Sequence, residues 1–430
     1  MTLFRRSVAL LIMLSVVALV SFGGGFQLNE HGARSMAQGG AFAARAVDGS
    51  AIFFNPAGLS FQKGTSFYVG TTLIATAGEY LSTGGVTTEQ IKGTFFPSNA
   101  YITHTMDNGL AFGIGFFSPY GLGTEWPNPW AGDTLAVQTE LKSFYLNPTI
   151  SYRINDQFAI AVGASYVWSD VSMNYRVATY NSLQPLTPGK GTAELTGKGT
   201  AVNWNVGVMY KPTPQLWIGA SYRHQTKVDY SGDVTFKDMG VFENLFGVDY
   251  FPGGYGKTSI TLPSNVFAGI AYDFTPDWTV EADYQYIGWS SYDELALDIA
   301  TGPTIPNALP PPLGGRTPQQ SPPPKEKEWT NAFMLRLGSE YRLDPLAIRV
   351  GFIYDKTPQP LSKVEPMLPD ANRVEFTVGL GFKILPFLGV DVAYQMILFE
   401  DRTVTAPDNG FEGTYDSSAN LFGLNLSYTI

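Results

Sequence analysis

From Thr65 onward the sequence divides into fourteen runs in which apolar and polar residues alternate, and the connections between runs alternate strictly between short and long. A period of two is what a β-strand with one apolar face produces. The clearest run places Trp278, Val280, Ala282, Tyr284 and Tyr286 on one face, opposite Thr279, Glu281, Asp283 and Gln285. Six connections are tight: 106–109, 155–156, 211–215, 274–277, 343–345 and 385–388. Seven are longer: roughly 76–94, 118–136, 178–196, 231–257, 298–327, 356–371 and 404–412. A β-sandwich or propeller shares the alternation of residues but not that of loop lengths. An up-and-down barrel with short turns at one mouth and long loops at the other shows both. The prediction is an all-β fold, a 14-stranded antiparallel transmembrane β-barrel over residues 63–430, with both barrel ends on the short-turn side.

Composition agrees. Charged residues are 15% of the chain, against about 25% in soluble proteins. Apolar residues are 44%, yet no run after Phe22 approaches the ~20 residues of a spanning helix. The net charge of 27 − 37 = −10 gives no basic face for nucleic acid. With no cysteine, disulfides and thiolate metal sites are excluded. His31, His104 and His224 are scattered and lie in no catalytic or metal motif, so no enzyme, cofactor or metal is expected. Arg5 and Arg6, the apolar stretch Val8–Val20 and the exit Ser21-Phe22-Gly23 read as an export signal over residues 1–24. Its removal leaves a mature charge of 25 − 37 = −12.

Facing can be assigned as well. A charge on the lipid face of a barrel costs roughly 2–4 kcal/mol at the midplane. Arg223, Lys227, Glu281, Asp283, Arg336, Glu340, Arg349, Glu375, Lys383 and Asp391 are therefore placed in the lumen. In the third strand Gly113 and Gly115 face inward, and Pro119 follows, while Pro97 lies in the second. Proline removes a ladder hydrogen bond and glycine permits a bulge, so this corner is the expected gap in the wall. Two long loops are rich in apolar residues: Trp126 and Trp130 in one, and Phe242, Leu245, Phe246 and Phe251 in the other. Such loops either pack on each other or collect apolar ligands, and an exposed capture groove is the expectation.

Residues 25–62 lie ahead of the strands and are rich in small side chains, with Phe26-Gln27-Leu28 at the start and Asn55-Pro56-Ala57 near the end. Small residues let an irregular segment be enclosed tightly. Taken with Pro119-Tyr120-Gly121-Leu122-Gly123-Thr124, Asn147-Pro148, Thr261-Leu262-Pro263 and the Asp370/Arg373 pair, this segment resembles the FadL/TodX family of outer-membrane transporters for hydrophobic compounds. The resemblance implies a hatch inside the barrel, carrying Asn55, Pro56 and Ala57, with Phe26 and Leu28 at its start. It implies passive uptake of a hydrophobic small molecule, foremost long-chain fatty acids, by outer-loop capture, hatch rearrangement and lateral exit. A monoaromatic hydrocarbon channel and a non-transporting structural or adhesin-like barrel are the alternatives. The partners then expected are outer-membrane lipid, lipopolysaccharide and the barrel assembly machinery, for a monomer in the bacterial outer membrane.

Overall fold

The computed structural model describes residues 24–180, 188–238, 253–299 and 324–430. Fourteen antiparallel strands form one closed sheet. They are β1 Gly64–Ser82, β2 Ser98–Thr105, β3 Leu110–Phe117 resuming at Gly121–Glu125, β4 Gln138–Arg153, β5 Phe158–Tyr180 and β6 Pro188–Tyr210. β7 is Leu216–Arg223 resuming at Thr226–Lys237, and β8 is Gly254–Leu262 resuming at Asn265–Thr275. The remainder are β9 Trp278–Ile287, β10 Ala332–Leu343, β11 Leu346–Asp355, β12 Arg373–Leu385, β13 Leu388–Phe399 and β14 Gly413–Thr429. β14 returns to β1 from Ser66↔Thr429 to Ser82↔Gly413, which leaves no free edge.

The six tight turns stand where the sequence puts them. One long connection is shorter than expected: β5 and β6 stay paired up to Tyr180↔Pro188, inside the stretch 178–196 read as a loop. Polar alternation such as Arg176↔Thr192 had no apolar face to betray it as strand.

Outward side chains define an apolar band. On β4 it runs from Phe144 to Tyr152 through the exposed Leu146 and Ile150. Eight steps of ~3.4 Å at the usual tilt give roughly 21 Å, near the ~25 Å apolar height of such barrels. Trp168, Tyr166 and Trp204 rim its loop side, and Tyr152, Tyr210, Tyr272 and Trp278 its turn side. Just above the band one cross-strand row reads Lys142, Asp170, Lys198, Ser231 and Lys257. Polar residues resume there because lipid tails have ended.

Lys227 departs from the sequence reading. It faces outward, 3.7 Å from Asp229. Arg223 and Thr226 are both buried, as are Leu262 and Asn265 opposite them. The two-residue breaks at 224–225 and 263–264 thus reverse the facing of everything beyond, as an insertion in a period-two pattern must.

Residues 24–60 are almost wholly buried. They carry two single-turn helices, Ala33–Met36 and Ala51–Phe54, and a 3-10 helix, Pro56–Phe61. Their contacts reach strands all round the barrel, including Asn425, Tyr68, Thr105, Ser151, Ser221, Asp283, Glu340 and Thr377. The segment therefore lies inside the lumen. Inward glycines make room for it: a Cβ at Gly219 would collide with Ala43 O, and one at Gly351 with Gly39 N.

Candidate transport pathway

Asn55 is fully buried and fixes the end of the inner segment. Its Oδ1 accepts from Ala57 N at 3.2 Å, an N-cap for the 3-10 helix that Pro56 opens. Its Nδ2 donates to Ala43 O at 2.7 Å and to Val208 O on β6 at 3.0 Å. One side chain thus ties two turns of the segment to the wall. Asn55→Ala removes both bonds and strands the Ala43 carbonyl, which belongs to no helix or strand, at roughly 1–3 kcal/mol for a buried group left unpaired. The expected result is faster amide hydrogen exchange across residues 43–57 with the β-ladder amides unchanged; equal protection in both proteins would mean that Asn55 does not hold the segment.

Glu281 and Asp283, an unassigned pair of carboxylates in the sequence, have a definite role. Asp283 Oδ2 accepts from Phe42 N and Ala43 N, both at 2.8 Å, and Glu281 Oε1 accepts from Ala44 N at 2.7 Å and Arg45 N at 3.1 Å. Four successive backbone donors with no helix or sheet of their own are satisfied by two side chains two residues apart on β9. Arg336, also buried, joins Asn29 Oδ1 at 2.9 Å to Gln285 Oε1 at 2.6 Å and donates to Gly39 O at 3.2 Å. Glu340 receives Arg34 at 2.9 Å and Arg349 at 2.8 Å. The lumen charges are thus mostly fastenings. Arg223, by contrast, has no carboxylate partner among the described residues; it donates to Asn147 Oδ1, Ser165 Oγ and Ile52 O, and it lies over the Phe53 and Phe117 rings.

The wall opens, but not at Gly113 and Gly115. Both face inward as expected, yet β3 is paired there on both sides, Gly113 between Thr103 and Thr149 and Gly115 between Tyr101 and Asn147. Their missing side chains make room for Ile52 and Leu59 of the inner segment rather than for a ligand. The break comes directly after. Between Phe117↔Tyr145 and Gly121↔Lys142, the three residues Ser118, Pro119 and Tyr120 stand opposite Ser143 and Phe144, which is a bulge. Ser143 holds it, its Oγ accepting from Tyr120 N and donating to Tyr120 O. The ladder with β2 ends at Ala100↔Phe116. Pro97 lies immediately before β2, and its carbonyl turns away to accept from Thr72 N at 3.1 Å. The two edges meet again where Ile91 N donates to Glu125 O at 2.8 Å.

On the lumenal side the segment's start takes the place of the missing ladder. Leu28 N donates to Pro119 O at 2.9 Å and Gly121 N to Phe26 O at 3.1 Å, with Gln27 bridged to Tyr120. A cavity of about 480 Å³ fills the break, within the ~300–1,000 Å³ usual for small-molecule sites. Its floor is Phe26 and Leu28, its inner walls include Ile74, Ile397 and Phe399, and its lips are Phe95–Pro97 on one side and Ser118, Tyr120 and Gly121 on the other. Phe96 at the lip is 60% exposed, and Phe144 on the outer face of β4 lines the cavity together with the buried Phe26. Arg373 also lines it, with its guanidinium 3.3 Å from Asp355 and 3.8 Å from Asp370.

Phe26 sits in an aromatic cage, with ring centroids 4.6 Å from Trp289, 5.7 Å from Tyr292 and 5.8 Å from Trp329. The sequence reading missed this cage; the clue was a cluster of Trp and Tyr just past the loop-side ends of strands, too far out for a lipid girdle. Nearby, burial would raise the Glu365 carboxyl, but Lys327 and Lys325 beside it hold it below the usual carboxylate range.

Trp126 and Trp130 do not form an exposed groove. They stack at 4.3 Å and 11°, buried against Tyr80, Phe411 and Tyr415, and their indole N–H groups donate to Pro366 O and Ala136 O. Apolar loops have packed on each other, which withdraws about 150–250 Å² per large aromatic from water. Phe242, Leu245, Phe246 and Phe251 lie outside the described residues, as does the expected export signal up to residue 23. Among the described residues no cluster of His, Asp and Glu is arranged to hold a metal ion.

A family model for outer membrane protein transport protein (OMPP1/FadL/TodX) matches residues 14–430. A long-chain fatty acid transport protein of Escherichia coli O6:H1 is 24% identical, over 99% of this chain and 99% of that one. Outer membrane protein P1 of Haemophilus influenzae is 23% identical, over 97% and 98%. Among solved structures, a Pseudomonas aeruginosa FadL homologue superposes with TM-score 0.80 at 18% identity, covering 94% of this chain and 100% of that one. The Ralstonia pickettii toluene transporter TbuX gives TM-score 0.68 at 18% identity, covering 94% and 98%.

Proposed function

The chain belongs to the OMPP1/FadL/TodX family of outer membrane transport proteins, and on that premise we propose that it carries hydrophobic molecules, foremost long-chain fatty acids, sideways through its wall into the outer membrane. It is an outer-membrane β-barrel with relatives that are transporters rather than enzymes. The observation that carries the reading is the cavity that joins the lumen to the break between β2 and β3. An apolar solute gains nothing by entering a water-filled pore. It gains by moving from apolar loops to an apolar cavity and then to lipid tails, never meeting bulk water. Residues 25–62 act as a hatch that blocks the lumen and shifts at Phe26–Leu28, where the segment borders the cavity. Catalysis has no part in this path.

A second substrate class is favoured by one detail. Arg373 is already shared by Asp355 and Asp370, and Lys142 at the outer lip is 2.7 Å from Glu140. Neither cation is free for a carboxylate, a circumstance that suits a neutral aromatic hydrocarbon. Mass spectrometry of what leaves the folded protein in mild detergent separates the readings. Fatty acids in near-stoichiometric amount support the first, a neutral hydrocarbon in their place the second. Neither retention nor uptake of either class would leave a structural barrel.

A further inference from the structure

We infer that the export signal is removed after Gly23, and that the α-ammonium group so created on Gly24 becomes a buried structural cation held by the Asp355 carboxylate. Nothing in this depends on the transported molecule.

The cut site follows from what the two glycines do. Gly24 and Gly25 are both buried in the lumen. Trp289 Nε1 donates to Gly24 O at 3.2 Å, Gly25 N donates to Asp370 Oδ2 at 3.1 Å, and Arg373 Nη2 donates to Gly25 O at 3.0 Å. Gly25 has φ +67°, and a Cβ on it would lie 2.8 Å from both the Trp289 and Trp329 rings, so only glycine fits. Residues anchored in this way belong to the mature protein, so a cut after Gly25 is excluded by what it would discard. A cut after Gly24 puts the bulky Phe22 three places before the bond. A cut after Gly23 puts Ser21 and Gly23 at the two positions that require small side chains.

The chemistry at Gly24 supplies the partner. Asp355 has 0% exposure; Arg373 Nε stands 3.3 Å from its Oδ2, but neither carboxylate oxygen receives a hydrogen bond of good geometry. A Cβ on residue 24 would fall 2.6 and 2.7 Å from its two oxygens, so the carboxylate is pressed against Gly24 itself. Around it, Glu30, Asp355, Asp370 and Glu375 face Arg336 and Arg373, a local balance of 2 − 4 = −2. Buried charge is tolerated when it is paired and hydrogen-bonded. An ammonium group on Gly24 brings three donors to a carboxylate whose paired cation, Arg373, is shared with Asp370, and it halves the excess. The mature N-terminus is then a positioning group. It fixes Gly25 and Phe26, two residues that border the cavity.

Protein purified from outer membranes should have the intact mass of a chain beginning at Gly24. In mild detergent its α-amine should resist an amine-reactive acetyl ester that modifies exposed lysines such as Lys63, and after unfolding in denaturant the same amine should react at least tenfold faster. Asp355→Asn should abolish most of that protection in the folded barrel, whereas Asp344→Asn, at the exposed turn rim, should leave it intact. A mature chain beginning at Gly25 or Phe26 overturns the proposal, and so does an α-amine that reacts equally fast folded and unfolded. Should Asp355→Asn fail to assemble, the mass and the folded-against-unfolded comparison still decide it.

Discussion

Ser118→Trp is expected to cut uptake at least tenfold while the barrel remains folded. Ser118 stands in the bulge of β3, buried, with an Oγ that has no hydrogen-bond partner, and it lines the cavity. Its removal strands no partner, and an indole there occupies the passage between the two lips. The contrasting positions are Gly113 and Gly115. A Cβ on Gly113 would be 2.9 Å from Ile52 Cδ1 and 3.1 Å from Leu59 Cδ1, so Gly113→Phe overpacks the inner segment and damages folding rather than closing a door. The assay is labelled-substrate uptake by cells, beside the heat-modifiable mobility of the folded barrel on gels. Because the chain has no cysteine, Ser118→Cys offers a second form of the test: uptake should be normal until a bulky maleimide is attached. Normal uptake in both blocked forms would place the route elsewhere, down past the inner segment.

Why did the sequence point to the right corner of the wall and the wrong residues in it? Proline and glycine mark where a ladder can be interrupted, and Pro97, Gly113, Gly115 and Pro119 all lie within that corner. Which of them interrupts it depends on what the other face meets. Gly113 and Gly115 are small because Ile52 and Leu59 press on them, and no period-two pattern reveals a non-strand neighbour. The strand count, the tight turns and the inward charges were legible because lipid imposes the same rule at every position of the band. Above the band that rule lapses. There β5 and β6 continue as polar strands taken for a loop, and Trp126 and Trp130 bury themselves against each other; Lys227 is turned outward by the two-residue break in its own strand. The Asn55-Pro56-Ala57 turn was recognisable as a motif, but its bonds to Ala43 and Val208 join residues 12 and 153 positions away. Such bonds belong to the folded lumen and leave no local trace.

Glu281 and Asp283 allow the enclosure to be tested from the other direction. Glu281→Ala with Asp283→Ala removes the acceptors of the Phe42, Ala43, Ala44 and Arg45 amides together. A hydrogen bond to a charged group contributes about 1.5–3 kcal/mol, and four adjacent donors left bare inside a barrel must find water instead. Part of that loss is offset, since two buried carboxylates no longer need to be desolvated. The expected net result is still release of the middle of the inner segment, because between Gly39 and Ile52 only the Arg45 side chain, on Thr279, Asp273 and Glu340, then ties it to the wall by a polar contact among the described residues. Water then fills a lumen otherwise packed with protein. The double variant should show stable ion conductance in planar bilayers where the parent shows little, and cells carrying it should become sensitive to large hydrophilic antibiotics. Glu281→Gln with Asp283→Asn keeps a carbonyl acceptor at each position and should conduct far less. A double-alanine variant as silent as the parent would mean that the shape of the lumen alone holds the segment, with the carboxylates merely filling space beside it.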